Sequence, residues 1–154
     1  MEYGSIEREI HVDASPEVVF EVVSRPEHIR EWWSDEADIE PRPGAVGELV
    51  FGERGAEGSG VVSMTVVEVD PPRSFSFRWT NPAEEVAAPG NSLLVTFELV
   101  AAGGGTLVRM TEVGFREMGW EAAVLEEQYR SHCEGWDHFV PRLGRHASEL
   151  AATR

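Results

Sequence analysis

The chain has 154 residues, 42% of them hydrophobic, and carries 28 acidic against 13 basic side chains for a formal charge of −15. That length suits one domain over residues 1–154, and so acidic a surface disfavours nucleic acid and anionic membranes, whose phosphates are gripped by clustered Lys and Arg. Every base is arginine, which excludes lysine Schiff-base chemistry and a P-loop lysine.

No apolar window reaches the ~20 residues of a membrane span, and no basic segment precedes an apolar run, so a soluble, cytoplasmic protein is expected. The lone Cys133 excludes an intrachain disulfide and reads as a small packed hydrophobe.

Residues 6–12 alternate Ile6, Arg8, Ile10 and Val12 against Glu7, Glu9 and His11, the period of a strand with one wet face. His11 is then outward and inert. Ser15 and Pro16 form a helix start, a side-chain cap followed by a residue whose missing N–H costs nothing in the first turn. Val19, Phe20, Val22 and Val23 supply its buried face. Pro26 ends that helix and opens a second, in which Ile29, Trp32 and Trp33 recur at helical spacing. Two adjacent tryptophans cannot point to one place, so one is expected to plug the core and the other to edge a cavity mouth.

Strands are predicted over residues 47–51 and 60–69, with a Gly-rich turn around Gly55 and Gly58 between them. The Pro71-Pro72 turn leads into a strictly alternating strand that puts Phe75, Phe77 and Trp79 on one face. Residues 80–91 form a long polar connection of the kind that is often functional, though a plain hairpin loop accounts for it equally. Two further strands, 92–100 and 106–115, flank a Gly-Gly-Gly hairpin. Alternation places Val108, Met110 and Glu112 inward, with Arg109 and Thr111 outside.

From 125 to 151 one amphipathic helix carries Tyr129, Cys133, Trp136, Val140, Leu143, Ala147 and Leu150, an unbroken stripe with a kink expected at Pro141. The element order predicts an α+β fold in which a curved antiparallel sheet of about six to seven strands wraps this helix and leaves a cavity between them. Its expected lining is Trp33, Phe51, Met64, Phe77, Trp79, Phe97, Met110, Phe115, Met118, Trp120, Cys133 and Trp136, aromatic and sulfur side chains able to fill a core or accommodate a guest. The 115–120 segment, FREMGW, reads as a flap over the opening or a strap holding helix to sheet.

Glu112 is the one acidic group aimed into this apolar setting. It is the candidate catalytic residue, as proton donor or base, or else a ligand anchor; the plain alternative is a hydrogen bond to Arg8, Trp136 or water. The other candidates are weaker. His28 reads as a solvated helix histidine. His132 and His138, six apart, cannot share a metal, and no three-ligand spacing exists, so no metal or cofactor is expected.

Several segments together carry a family resemblance. They are A-S-P-E-x-V-F, R-P-E-H and W-W between Ile10 and Trp33, E-V-D-P-P-R at residues 68–73, and the F-R-W strand. G-G-G-T at 103–106, G-F at 114–115 and Gly135-Trp136 complete the set. In this order they resemble the Hsp90-ATPase-activator-homologous (AHSA1-like) domains of the START-like, Bet v 1-like (SRPBCC) superfamily. The resemblance implies a helix-grip fold with two short helices after the first strand, and a cavity used across the superfamily for lipids, sterols, polyketides and other apolar molecules. Glu112 departs from a histidine that many relatives carry there.

The function expected on these grounds is binding of a small hydrophobic molecule by a monomer or weak homodimer. A polyketide cyclase/dehydratase-like or hydrolase activity using Glu112 is the alternative. An Hsp90 co-chaperone-like interaction module comes third, because the extra amino-terminal domain of those namesakes is not expected in this chain.

Overall fold

The structure is a computed structural model, and it describes residues 3–53, 60–80, 87, 88 and 90–154. The Gly55–Gly58 turn and most of the 80–91 connection therefore lie outside the described residues. Chain order runs β1 (Ser5–Val12), α1 (Pro16–Ser24), α2 (Pro26–Trp32), β2 (Glu36–Asp38), β3 (Val46–Phe51), β4 (Gly60–Asp70) and β5 (Ser74–Thr80). It continues with β6 (Leu93–Ala102), β7 (Gly105–Val113), a 3-10 turn (Arg116–Met118) and α3 (Ala122–Ala152).

The strands form one antiparallel sheet in the order β1-β7-β6-β5-β4-β3-β2, so the first strand closes onto the last and every other pairing is between sequence neighbours. The alternation that the sequence predicts is realised. In β1 Ile6 and Val12 are buried and Glu7, Glu9 and His11 exposed; in β7 Val108, Met110 and Glu112 are buried while Arg109 reaches Glu9 on the wet face. A bulge between Val66 and Glu68 interrupts the β4–β5 register, adding local twist to the strand.

Ser15 caps α1 by accepting from the Val18 amide at 3.3 Å, and prolines occupy the first turns of both short helices. α3 starts one turn earlier than the apolar stripe suggests and runs through Pro141. β2 escapes the sequence pattern, being three residues long and mostly polar, too short for a period to show.

The core lies between the concave sheet face and the helices. The Trp32 ring is fully buried, its indole N–H donating to the Val22 carbonyl at 2.9 Å, and it stacks on Trp33 at 5.4 Å. Around it Phe75, Phe77, Phe97, Met64 and Met110 have essentially no exposed surface. The α3 backbone runs closest to β1, α1 and α2. Over β3, β4 and β5 the separation is bridged by large side chains, and that is where open space occurs.

Candidate functional site

Two adjoining clefts open between α3 and the β3–β5 part of the sheet. The first, about 210 Å³, is walled by the rings of Trp33, Phe51, Trp79, Trp136 and Phe139, with Val62, Ser131, His132 and Gly135 completing it. The second, about 160 Å³, shares Val62, Trp79 and His132 and is closed by Thr80, Leu93, Met118, Trp120 and Gln128. A larger cleft of about 430 Å³ between the end of α2 and the later turns of α3 is lined by Glu31, Glu149, Arg142, Arg145, His138 and His146. That charged lining offers an apolar guest no wall.

Trp33 is the hub of the first cleft, its ring centroid 5.0 Å from Trp79, 5.2 Å from Trp136 and 5.8 Å from Phe51. These are offset and tilted contacts of the kind that favour aromatic pairs. Position explains the selection: Trp33 follows the last residue of α2, Trp79 stands at the end of β5 beyond Phe77, and Phe51 ends β3.

Behind the wall lies Glu112, with no exposed surface. Its Oε2 accepts from the Trp79 indole at 2.7 Å, and its Oε1 accepts from the Trp136 indole at 2.9 Å and meets His132 Nδ1 at 2.8 Å. A carboxylate has lone pairs for all three. One side chain near the end of β7 thus ties a β5 tryptophan to two α3 residues and sets the cleft walls. Arg8, weighed as a partner for Glu112, instead pairs with Asp137 at 2.6 Å.

The expected lining divides accordingly. Trp33, Phe51, Trp79 and Trp136 line the first cleft, and Met118 and Trp120, from the 115–120 segment, line the second. Met64, Phe77, Phe97, Met110 and Phe115 are not on either surface; they are at most 1% exposed and fill the core beneath. Glu112 is also absent from the cleft surface, since its carboxylate is consumed by the walls. Cys133 points elsewhere, beside Arg8 and Tyr129.

The sequence weighs His132 only as a metal ligand and Gly135 only as part of a motif, and it does not place either of them, or Ser131 and Phe139, on the cleft wall. The signal was present as a second stripe on the last helix, 128, 132, 135 and 139, offset from the apolar one and hidden because Gln, His and Gly are not hydrophobic. His28 also differs from expectation: it is half-buried, with Nδ1 3.1 Å from Nε2 of His146. Burial, and secondarily His146, lower its pKa. Among the described residues no group of three or more His, Cys, Asp or Glu could hold a metal, and no helix is long and apolar enough to cross a membrane.

A curved antiparallel sheet gripping a long carboxy-terminal helix, with two short helices after the first strand, defines a START-like helix-grip protein. Residues 13–147 match the family model for Activator of Hsp90 ATPase homolog 1-like protein, and the chain belongs to that family. No curated protein matches the sequence. Solved structures extend the likeness at the level of fold. Protein MLL2253 from Mesorhizobium loti superposes with a TM-score of 0.74 at 22% identity, over 94% of this chain and 97% of its own. The Aha1 dimer from Colwellia psychrerythraea gives 0.68 at 18% identity, over 91% and 92%. DynU16, a protein of the dynemicin biosynthetic locus, gives 0.71 at 20% identity over 98% of this chain, which spans about half (49%) of the DynU16 chain. Proteins of this fold often bind hydrophobic ligands.

Proposed function

We propose that this protein binds a small aromatic molecule of one or two rings in the Trp33–Trp136 cleft. The observation that carries the reading is the cleft's composition: five aromatic rings around about 210 Å³, with a helix glycine, Gly135, left open at its edge. A Cβ at Gly135 would meet nothing within 4 Å. A mid-helix glycine costs about 1 kcal/mol relative to alanine, so a position with room for a side chain and none in place favours a guest over a packing role.

The volume is below the usual several hundred Å³ of drug-sized sites, which favours a flat ring system over a sterol. Glu112 acts indirectly in this reading, because its partners rather than its own oxygens meet the guest. Titrations of tryptophan fluorescence with 2-methylnaphthalene, decanoate and cholesterol test it. Saturable quenching by 2-methylnaphthalene, with cholesterol silent, is the expected pattern. Silence from all three in folded protein means that the rings merely complete a core.

A further inference from the structure

Glu112 and His132 have the geometry of a carboxylate–imidazole pair. Both indoles that reach Glu112 are donors only, so each oxygen already accepts one N–H before His132 is considered. With the carboxylate as acceptor, the His132 proton resides on Nδ1 and the lone pair of the neutral ring on Nε2. The ring cannot easily turn. It is held edge-on between Trp79, at 5.5 Å and 67°, and Phe115, at 5.4 Å and 86°.

The other edge of the ring faces the clefts. His132 borders both of them, its side chain is 20% exposed, and Nε2 has no hydrogen-bond partner among the described residues without being sealed from solvent. A largely apolar site that carries one fixed polar atom uses that atom to orient its ligand.

We infer that Glu112 fixes the His132 tautomer so that Nε2 accepts a hydrogen bond from a hydroxyl on the bound ring, which makes the ligand class a hydroxylated aromatic of the phenol or naphthol type. Glu112 is then a positioning residue and His132 the group that touches the guest. This rests on the binding reading above and adds a polar handle to it.

The test compares 2-naphthol with 2-methylnaphthalene, which differ by a hydroxyl in place of a methyl. In the wild-type protein 2-naphthol binds more tightly, and His132→Phe, which keeps a ring but no acceptor, lowers that preference about tenfold, the scale of one good hydrogen bond. 2-Methylnaphthalene still binds the variant. Nitrogen NMR of labelled histidine reads the tautomer without any ligand: a protonated Nδ1 is expected in the wild type, and a disturbed pattern in Glu112→Leu, which offers His132 no acceptor. Equal affinity for the two probes, an unchanged preference in His132→Phe, or a protonated Nε2 in the neutral ring overturns the inference while leaving the cleft reading standing. Failure of both probes to bind overturns both.

Discussion

Two glycines on α3 show how differently the two halves of this helix are used. At Gly144 a Cβ would approach Ile10 Cδ1 to 3.0 Å, so the glycine is there to let helix and sheet touch. At Gly135, nine residues earlier, the same atom would enter open space beside the cleft. The sheet repeats the contrast along β5, where Phe75 and Phe77 are sealed and Trp79, on the same face, is half-buried. One end of the layer is a filled core, and the other is a built gap whose rings are held by a hydrogen-bonded carboxylate.

Breaking the filled end should cost most. Phe97→Ala empties a fully buried ring site and is expected to lower unfolding free energy by about 4 kcal/mol, against about 1–2 kcal/mol for Phe51→Ala at the half-buried end. Urea denaturation of the two variants makes the comparison, and equal losses contradict it. Glu112→Leu lies between the two regions in effect. It strands two indole donors and an imidazole, and a loss of about 2–4 kcal/mol is expected.

The glycines sharpen the contrast further. Gly144→Ala should destabilise by up to about 1 kcal/mol, or be neutral at best, because crowding against Ile10 offsets the better helix propensity. Gly135→Ala should stabilise by about 0.5–1 kcal/mol. Opposite signs in thermal unfolding are expected, and matching signs remove the distinction between the two halves.

The smallest effect concerns pH. Burial and His146 hold His28 below its ordinary pKa, so the fold favours the neutral ring. The unfolded ring takes a proton near about pH 6.5, and the stability tied to it is complete above that value and lost as pH falls through the lower folded pKa. Glu27 and Glu21 oppose the shift and Arg154 adds to it. The drop in urea midpoint between about pH 7.5 and about pH 5.5, which bracket the usual imidazole titration, should be smaller in His28→Asn than in the wild type. An unchanged drop removes His28 from the account.

Much of this architecture is legible in the residues themselves. Period-two alternation puts Glu112 inward, Ser15-Pro16 starts a helix, and the order of elements implies a sheet closed over a last helix. What alternation cannot tell is which inward residues meet a partner and which meet a gap. Phe77 and Trp79 carry the same signal, and only the line that α3 takes over the sheet separates them. His132 is weighed from sequence only as a metal ligand for a related reason: its stripe runs beside the apolar one and contains groups that do not need to be apolar, because a cleft wall, unlike a core, keeps contact with water.

The most direct test follows the indole N–H signals of Trp33, Trp79 and Trp136 while 2-methylnaphthalene is added to the wild type and to Gly135→Leu, whose side chain fills the open edge of the cleft. Saturable shifts at these three tryptophans in the wild type, lost in the variant with Trp32 unmoved in both, are the expected result. Shifts that survive in Gly135→Leu, or no shifts in a folded wild type, contradict a ligand cleft at this end of the molecule.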